Sequence, residues 1–191
     1  LRQTDVLKSV RADWSRVIIP AIVGAVLGRV IGLNISTRWL MILLAAYAIL
    51  AGLRLAFIRP LPEKETKAHP VWLAPIAFGA SLLTGLLSAG AKVFQVPLYN
   101  AALGRHPKQA YALAALTVSV AAPVALATQV GLGVAPTVNQ ILLALYLFAL
   151  IVGVALIVKK FWTLKLNQVV TWVISPLLIL VGIRFLLLAM K

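Results

Sequence analysis

Apolar residues run in blocks of roughly twenty along this chain, and polar residues gather in the short intervals between the blocks. A block of that length crosses ~30 Å of hydrocarbon as a helix. The pattern predicts about six spans: Val17 to Ile35, Trp39 to Ile58, a third entered near Val71, Gln109 to Val130, Pro136 to Val158, and Val169 to Ala189. The turn Asn34-Ile35-Ser36-Thr37 joins the first two into a hairpin, and Gly24 and Gly28 form a small-xxx-small pair suited to close helix packing. Arg29 lies late in the first span, where a snorkelling side chain reaches the interface; the alternative reading has it facing a polar cavity. The third block differs from the rest. Between Leu82 and Gly104 it meets Gly85, Ser88, Gly90, Lys92, Gln95, Pro97 and Asn100, which an uninterrupted lipid-facing helix has no use for. Backbone loosened at membrane depth must be buried in protein or line a polar cavity, which is how many transporters build a substrate site. The fourth block is also polar for a span, with Thr117, Ser119, Thr128 and Gln129, and one face of it is expected against the broken third.

The expected fold is therefore all-α: a polytopic transmembrane helical bundle with an internal repeat and a broken helix near residues 88–100. Its parts are a polar segment 1–16, a helical hairpin 17–58, a connector 59–70 rich in proline and acidic residues, and a four-span unit 71–191. The repeat shows in Gly52-Leu53-Arg54-Leu55 against Gly182-Ile183-Arg184-Phe185, and in Val23-Gly24-Ala25 against Val152-Gly153-Val154. An offset of about 130 residues relates the two hairpins, as in transporters built from duplicated halves. The second hairpin follows the broken span and its polar neighbour, whereas the first follows only polar residues. A complete first half would need about sixty more residues containing another broken span.

Composition supports a membrane chain: 62% of residues are hydrophobic, 12% are charged and the mean hydropathy is +1.03, against roughly 25% charge in soluble domains. The formal net charge of +14 would suggest nucleic acid in a soluble protein. Here the basic residues sit mostly at the ends of apolar runs, where they anchor helices at anionic leaflets, so no nucleic-acid partner is expected. Lys and Arg fall in similar numbers on alternating sides, and orientation is not fixed by them. No leader of the secretory type is visible in the first sixteen residues. The chain has no cysteine, and His69 and His106 read as loop residues, so no metal site or cofactor is expected. Without a nucleophile and base, paired carboxylates or a phosphate-cradling loop, an enzyme is not expected either.

The order Gly85-Leu86-Leu87-Ser88, a small-residue stretch, Val96-Pro97-Leu98, a short basic loop and Ala110 resembles the second-half signature of the TauE/SafE sulfite-exporter family, and the hairpin from Trp14 to Phe57 is similar to that family's second hairpin. The resemblance implies a multi-pass transporter of the cell (inner) membrane that exports sulfite, organosulfonates or similar small anions. Two departures stand out: the family's glycine triplet falls on Gly90-Ala91-Lys92, and its Thr-Ser pair on Leu113-Ala114. Glycines let backbone amides close around an anion, and alanine or lysine would reshape such a nest. Lys92 could compensate as a cation beside freed N–H donors. The candidate substrate-binding residues are Lys92, Gln95, Gly90, Ser88, Asn100 and Thr117. For Lys92 the alternative is a headgroup-level anchor; for Gln95 and Asn100 it is satisfaction of the broken backbone, and for Ser88 and Thr117 helix packing. No acidic residue occurs in any span, which argues against coupling through a membrane carboxylate. The expected partners are the lipid bilayer, a small inorganic or organosulfur anion, and either copies of this chain or a larger membrane complex. A second function stays open: a non-transporting membrane subunit that kept the scaffold.

Overall fold

The computed structural model describes residues 10–57, 70–104, 106–161 and 164–190. The connector 59–69 and His69, most of the polar segment 1–16, and Arg105 of the exit loop lie outside the described residues. The helices used below follow in order: α1 Trp14–Asn34, α2 Thr37–Phe57, α3 Leu73–Leu87 entered through the 3-10 turn Pro70–Trp72, α4 Lys92–Leu103, α5 Pro107–Gly131, α6 Val138–Phe161 and α7 Leu164–Ala189. Among the described residues five stretches are long and apolar enough to cross a membrane: α1, α2, Pro70–Leu87, α5 and Val169–Ala189; α6 adds the shorter apolar run Val138–Val154. The polytopic all-helical bundle is thus present, and no strand occurs among the described residues.

The third block does break, and the break is sharper than a kinked crossing. The chain leaves α3 at Ser88 in the left-handed region (φ 54°, ψ 20°) and starts α4 four residues later. The new limb returns alongside α3. α4 packs on α3 and also meets the Pro70–Trp72 turn that leads into α3, and Trp72, Ile76, Gly79 and Leu83 line one apolar groove together with Ala91, Gln95, Leu98 and Ala102. At 12 residues α4 rises only ~18 Å, too short to cross ~30 Å of hydrocarbon by itself, so α3 and α4 form a hairpin rather than one continuous helix. Pro97 lies within α4, past the break, and the helix runs through it. The reversal brings the chain back to where α3 began, and α5 then runs parallel to α1 and α3.

Small residues set this packing. Gly24, Gly28 and Gly32 of α1 lie on the backbone of α3: a Cβ at Gly24 would strike the carbonyl oxygen of Phe78, one at Gly28 that of Leu82, and one at Gly32 would come within 2.9 Å of that of Leu86. Gly85 of α3 makes the reciprocal approach to Ala25. The small-xxx-small stripe thus does what its spacing predicts, since without a hydrophobic drive between helices in lipid, close backbone contact carries association. Ala25 also packs with Ala121 and Ala125 of α5, and Leu73, Ile76, Val96, Tyr99, Leu103, Leu113 and Ala114 fill the space between the hairpin and α5. One face of the polar fourth block therefore does meet the broken third.

Beside this group stands an antiparallel pair, α2 and α7. Gly52 seats Ile179 and the carbonyl of Ser175, while Gly182 seats Ile49 and the carbonyl of Ala45. The Ser175 hydroxyl donates to the Gly52 carbonyl at 2.7 Å. No other described helix packs along α6, whose described side chains are exposed apart from the half-buried Gly153.

Candidate functional site

The turn of the α3–α4 hairpin is held from two sides. From α1, the Arg29 guanidinium donates through Nη1 to the Ser88 hydroxyl at 3.0 Å and through Nη2 to Oε1 of Gln129 on α5. From α2, the Tyr47 hydroxyl donates to the Gly90 carbonyl at 2.7 Å, and its ring meets Phe94 edge-on at 5.4 Å. A left-handed serine is costly by roughly 1–2 kcal/mol, and Ser88 is the one non-glycine residue with positive φ among those described. Its hydroxyl is positioned by that strained backbone and directed to Arg29.

Around these groups is a cavity of about 200 Å³ lined by Arg29, Thr84, Ser88, Ala122, Ala125, Leu126 and Gln129. At ~30 Å³ per water this is the space of about six waters. Nε of Arg29 is buried with no hydrogen-bond partner. The Thr84 hydroxyl is turned back to its own helix, donating to the Ala80 carbonyl at 2.8 Å. The electrostatics follow from what surrounds the cation. The chain's acidic residues are Asp5, Asp13, Glu63 and Glu65, none of them in a span. Asp13, the one within the described residues, precedes α1, ~24 Å of helix rise from Arg29. At that separation the charges are screened wherever water enters, and among the described residues the guanidinium stands without a neutralising carboxylate. An unpaired cation in a low-dielectric setting attracts an anion strongly.

The sequence-derived candidates do not converge on one place. Ser88 lines the Arg29 cavity, and Gly90 sits in the same turn with its carbonyl taken by Tyr47. Lys92 begins α4 with its side chain exposed and does not line the cavity. Gln95 and Thr117 belong to a second polar cluster on the far side of the hairpin. There the Gln95 amide donates to the Tyr99 hydroxyl at 3.4 Å, Tyr99 and Thr117 meet at 3.1 Å, and the Thr117 hydroxyl donates to the Leu113 carbonyl at 2.8 Å. Asn100 is buried one residue beyond Tyr99. In this cluster the donors are directed into the protein, which fits the structural alternative for Gln95 and Thr117. Arg29 is a correction: it does not snorkel away from the bundle but turns inward to Ser88 and Gln129. The available signal was the combination of a late cation in α1 and an amide near the end of α5, which only a parallel arrangement of the two helices brings together. His106 is a loop residue that caps α5, its Nδ1 accepting from the Lys108 amide at 3.2 Å.

The fold and this site define a class: a multi-pass helical membrane protein with a broken helix whose polar turn is clamped by neighbouring spans. The sulfite exporter TauE/SafE family matches residues 5–185, and the chain belongs to that family. It is accordingly a membrane transporter of the sulfite/anion-exporter type. Neither a curated protein nor a solved structure matches the chain.

Proposed function

We propose that this chain carries a small oxyanion, such as sulfite or an organosulfonate, across the inner membrane of the cell and holds it at the turn between α3 and α4. The observation that supports this reading is the Arg29 guanidinium, set against the Ser88 hydroxyl in a cavity that Thr84 and Gln129 also line, with no acidic residue in any span. An arriving anion would replace the Gln129 carbonyl oxygen as the guanidinium's acceptor, and the amide of that side chain could then turn its N–H₂ toward the new charge. Arg is suited to this exchange because its planar fork matches two oxygens of an oxyanion at once. Lys92, exposed at the start of α4, raises the local positive potential and attracts the anion without holding it. Mobility of the hairpin past its clamps would open the cavity to alternate sides, in the way of folds that rock one unit around a fixed midplane site.

The test is sulfite-dependent thermal stabilisation and flux in proteoliposomes. Arg29→Gln is expected to abolish both, Arg29→Lys to retain a weakened response because it keeps charge but loses the fork, and Lys92→Ala to lower flux several-fold with increasing effect at low salt. Full flux from a folded Arg29→Gln protein would sink the assignment. The exposed length of α6 favours a second reading, a non-transporting subunit of a larger membrane complex. Stable co-purification with one partner in fixed stoichiometry, without anion flux, would replace transport by that reading.

A further inference from the structure

The cavity at Arg29 has two unlike walls. One carries the donors: the Arg29 guanidinium and the Ser88 hydroxyl, with the Gln129 amide beside them. The other is apolar. Ala122, Ala125 and Leu126 fall on one stripe of α5, and Gln129 continues that stripe one turn on, so the lining changes from apolar to polar along the helix. Thr84 adds no donor, because its hydroxyl is spent on the Ala80 carbonyl. Leu126 is 53% exposed, an apolar surface standing close to a guanidinium.

These walls constrain an occupant in charge and in shape. Among the described residues Arg29 is the one cation that lines the cavity, so one negative charge is neutralised there and a second would be held without a partner. Sulfite in its fully ionised form carries two charges, spread over oxygens, and has no apolar end to turn away. Any of its oxygens directed at Ala122 or Leu126 would lose water and gain no hydrogen bond. A monoanion with its oxygens at one end and carbon at the other meets both walls. Its oxygens take the guanidinium fork, and its carbon end removes the Leu126 surface from water. At ~30 Å³ per water-sized group, the cavity of about 200 Å³ takes a sulfonate head and a tail of roughly two carbons.

We infer that Ala122 and Leu126 determine specificity, and that the site selects organic monoanions with a short apolar tail over inorganic sulfite, which gains only the polar wall. The inference rests on the reading that the Arg29 cavity binds the transported anion. The two alanines of the wall differ in role. Ala125 is buried and packs with Ala25 and Ala121, so the helix contact fixes its size. Ala122 is exposed and bound by no such contact, so its side chain sets the length of tail that fits.

The experiment is titration calorimetry on the purified full-length protein with ethanesulfonate, butanesulfonate and sulfite at one pH. Wild type is expected to bind ethanesulfonate about tenfold more tightly than sulfite, the scale of a methylene or two in an apolar pocket. Ala122→Leu should weaken ethanesulfonate about tenfold and leave sulfite unchanged; the position is exposed, so leucine there displaces no packed neighbour. Leu126→Ala should admit butanesulfonate, which wild type binds weakly. Sulfite bound as tightly as ethanesulfonate by wild type, or equal losses of both anions in Ala122→Leu, would overturn the inference. Arg29→Gln keeps the two readings apart. If that variant retains binding, the site itself is wrong, whereas Arg29-dependent binding that ignores the tail removes only the selection.

Discussion

Ser88 shows how one residue can be strained for a purpose. Its left-handed backbone would suit glycine better, and the retained hydroxyl reaches Arg29. Replacing it by glycine therefore has two effects of opposite sign. Ser88→Gly is expected to fold with a slightly lower Tm, because relief of roughly 1 kcal/mol of backbone strain offsets only part of the lost hydrogen bond to Arg29. The same variant should bind anion about tenfold more weakly, since a bond to a charged group is worth roughly 1.5–3 kcal/mol. Ser88→Ala keeps the strain, loses the bond, and should be the less stable of the two. Thermal melts with and without sulfite separate these effects, and equal anion affinity in wild type and Ser88→Gly would remove Ser88 from the site. Arg29 teaches the complementary lesson. As a lone cation near the end of an apolar run it is compatible with an interfacial anchor, and only the neighbours that turn it inward distinguish a site from an anchor.

At the scale of elements, the hairpin α3–α4 is the part that lends itself to motion. Its turn has few packing partners of its own and is fixed by Arg29 on one side and Tyr47 on the other. Segments held by a few polar contacts open at lower free energy than packed cores. Tyr47→Phe removes the hydrogen bond to Gly90 while keeping the ring against Phe94. The expected outcome is a modest loss of about 1 kcal/mol and faster hydrogen exchange confined to residues 88–92, with α1 and α5 unaffected. Exchange that rises throughout the bundle, or nowhere, would show that Tyr47 is not a local clamp. The two limbs also explain why the candidate residues divide. A crossing that merely kinks would keep Lys92, Gln95 and Asn100 advancing through the membrane beyond Ser88. Reversal carries them back along α3 instead, toward Tyr99, Thr117 and the α5 surface.

For the molecule as a whole, the α2–α7 pair predicts matched consequences at matched positions. Gly52 and Gly182 each seat an isoleucine and a carbonyl, with nearest approaches of 2.7 and 2.6 Å to a built Cβ. Gly52→Leu and Gly182→Leu should each cost about 1–3 kcal/mol through overpacking, and should lower Tm in detergent by similar amounts. A large loss at one position with none at the other would contradict the reciprocal packing of α2 and α7. The chain's charge belongs to this scale too. A net charge of +14 on a body with no span carboxylate gives a positive potential near the leaflets and within the Arg29 cavity, suited to anionic lipid outside and an anionic substrate inside.

The sequence by itself determined the class of fold, the limits of most spans, the presence of a break within residues 88–100, which the structure narrows to 88–91, and the role of Gly24 and Gly28. These are local: twenty apolar residues demand a crossing, since unpaired backbone is intolerable in hydrocarbon, and small residues four apart mark a close helix contact whatever the partner. The offset of about 130 residues between Gly52 and Gly182 was also legible, because a repeat is a property of the string. Tertiary structure decided what the string could not hold. Whether the chain bends or reverses at Ser88 depends on what clamps the turn, and the clamps Arg29 and Tyr47 come from 59 and 43 residues away. The reversal in turn sets the direction of α5 and so brings Gln129, 100 residues from Arg29, to the same guanidinium. A site assembled from three helices is fixed by their relative directions, which no single segment encodes.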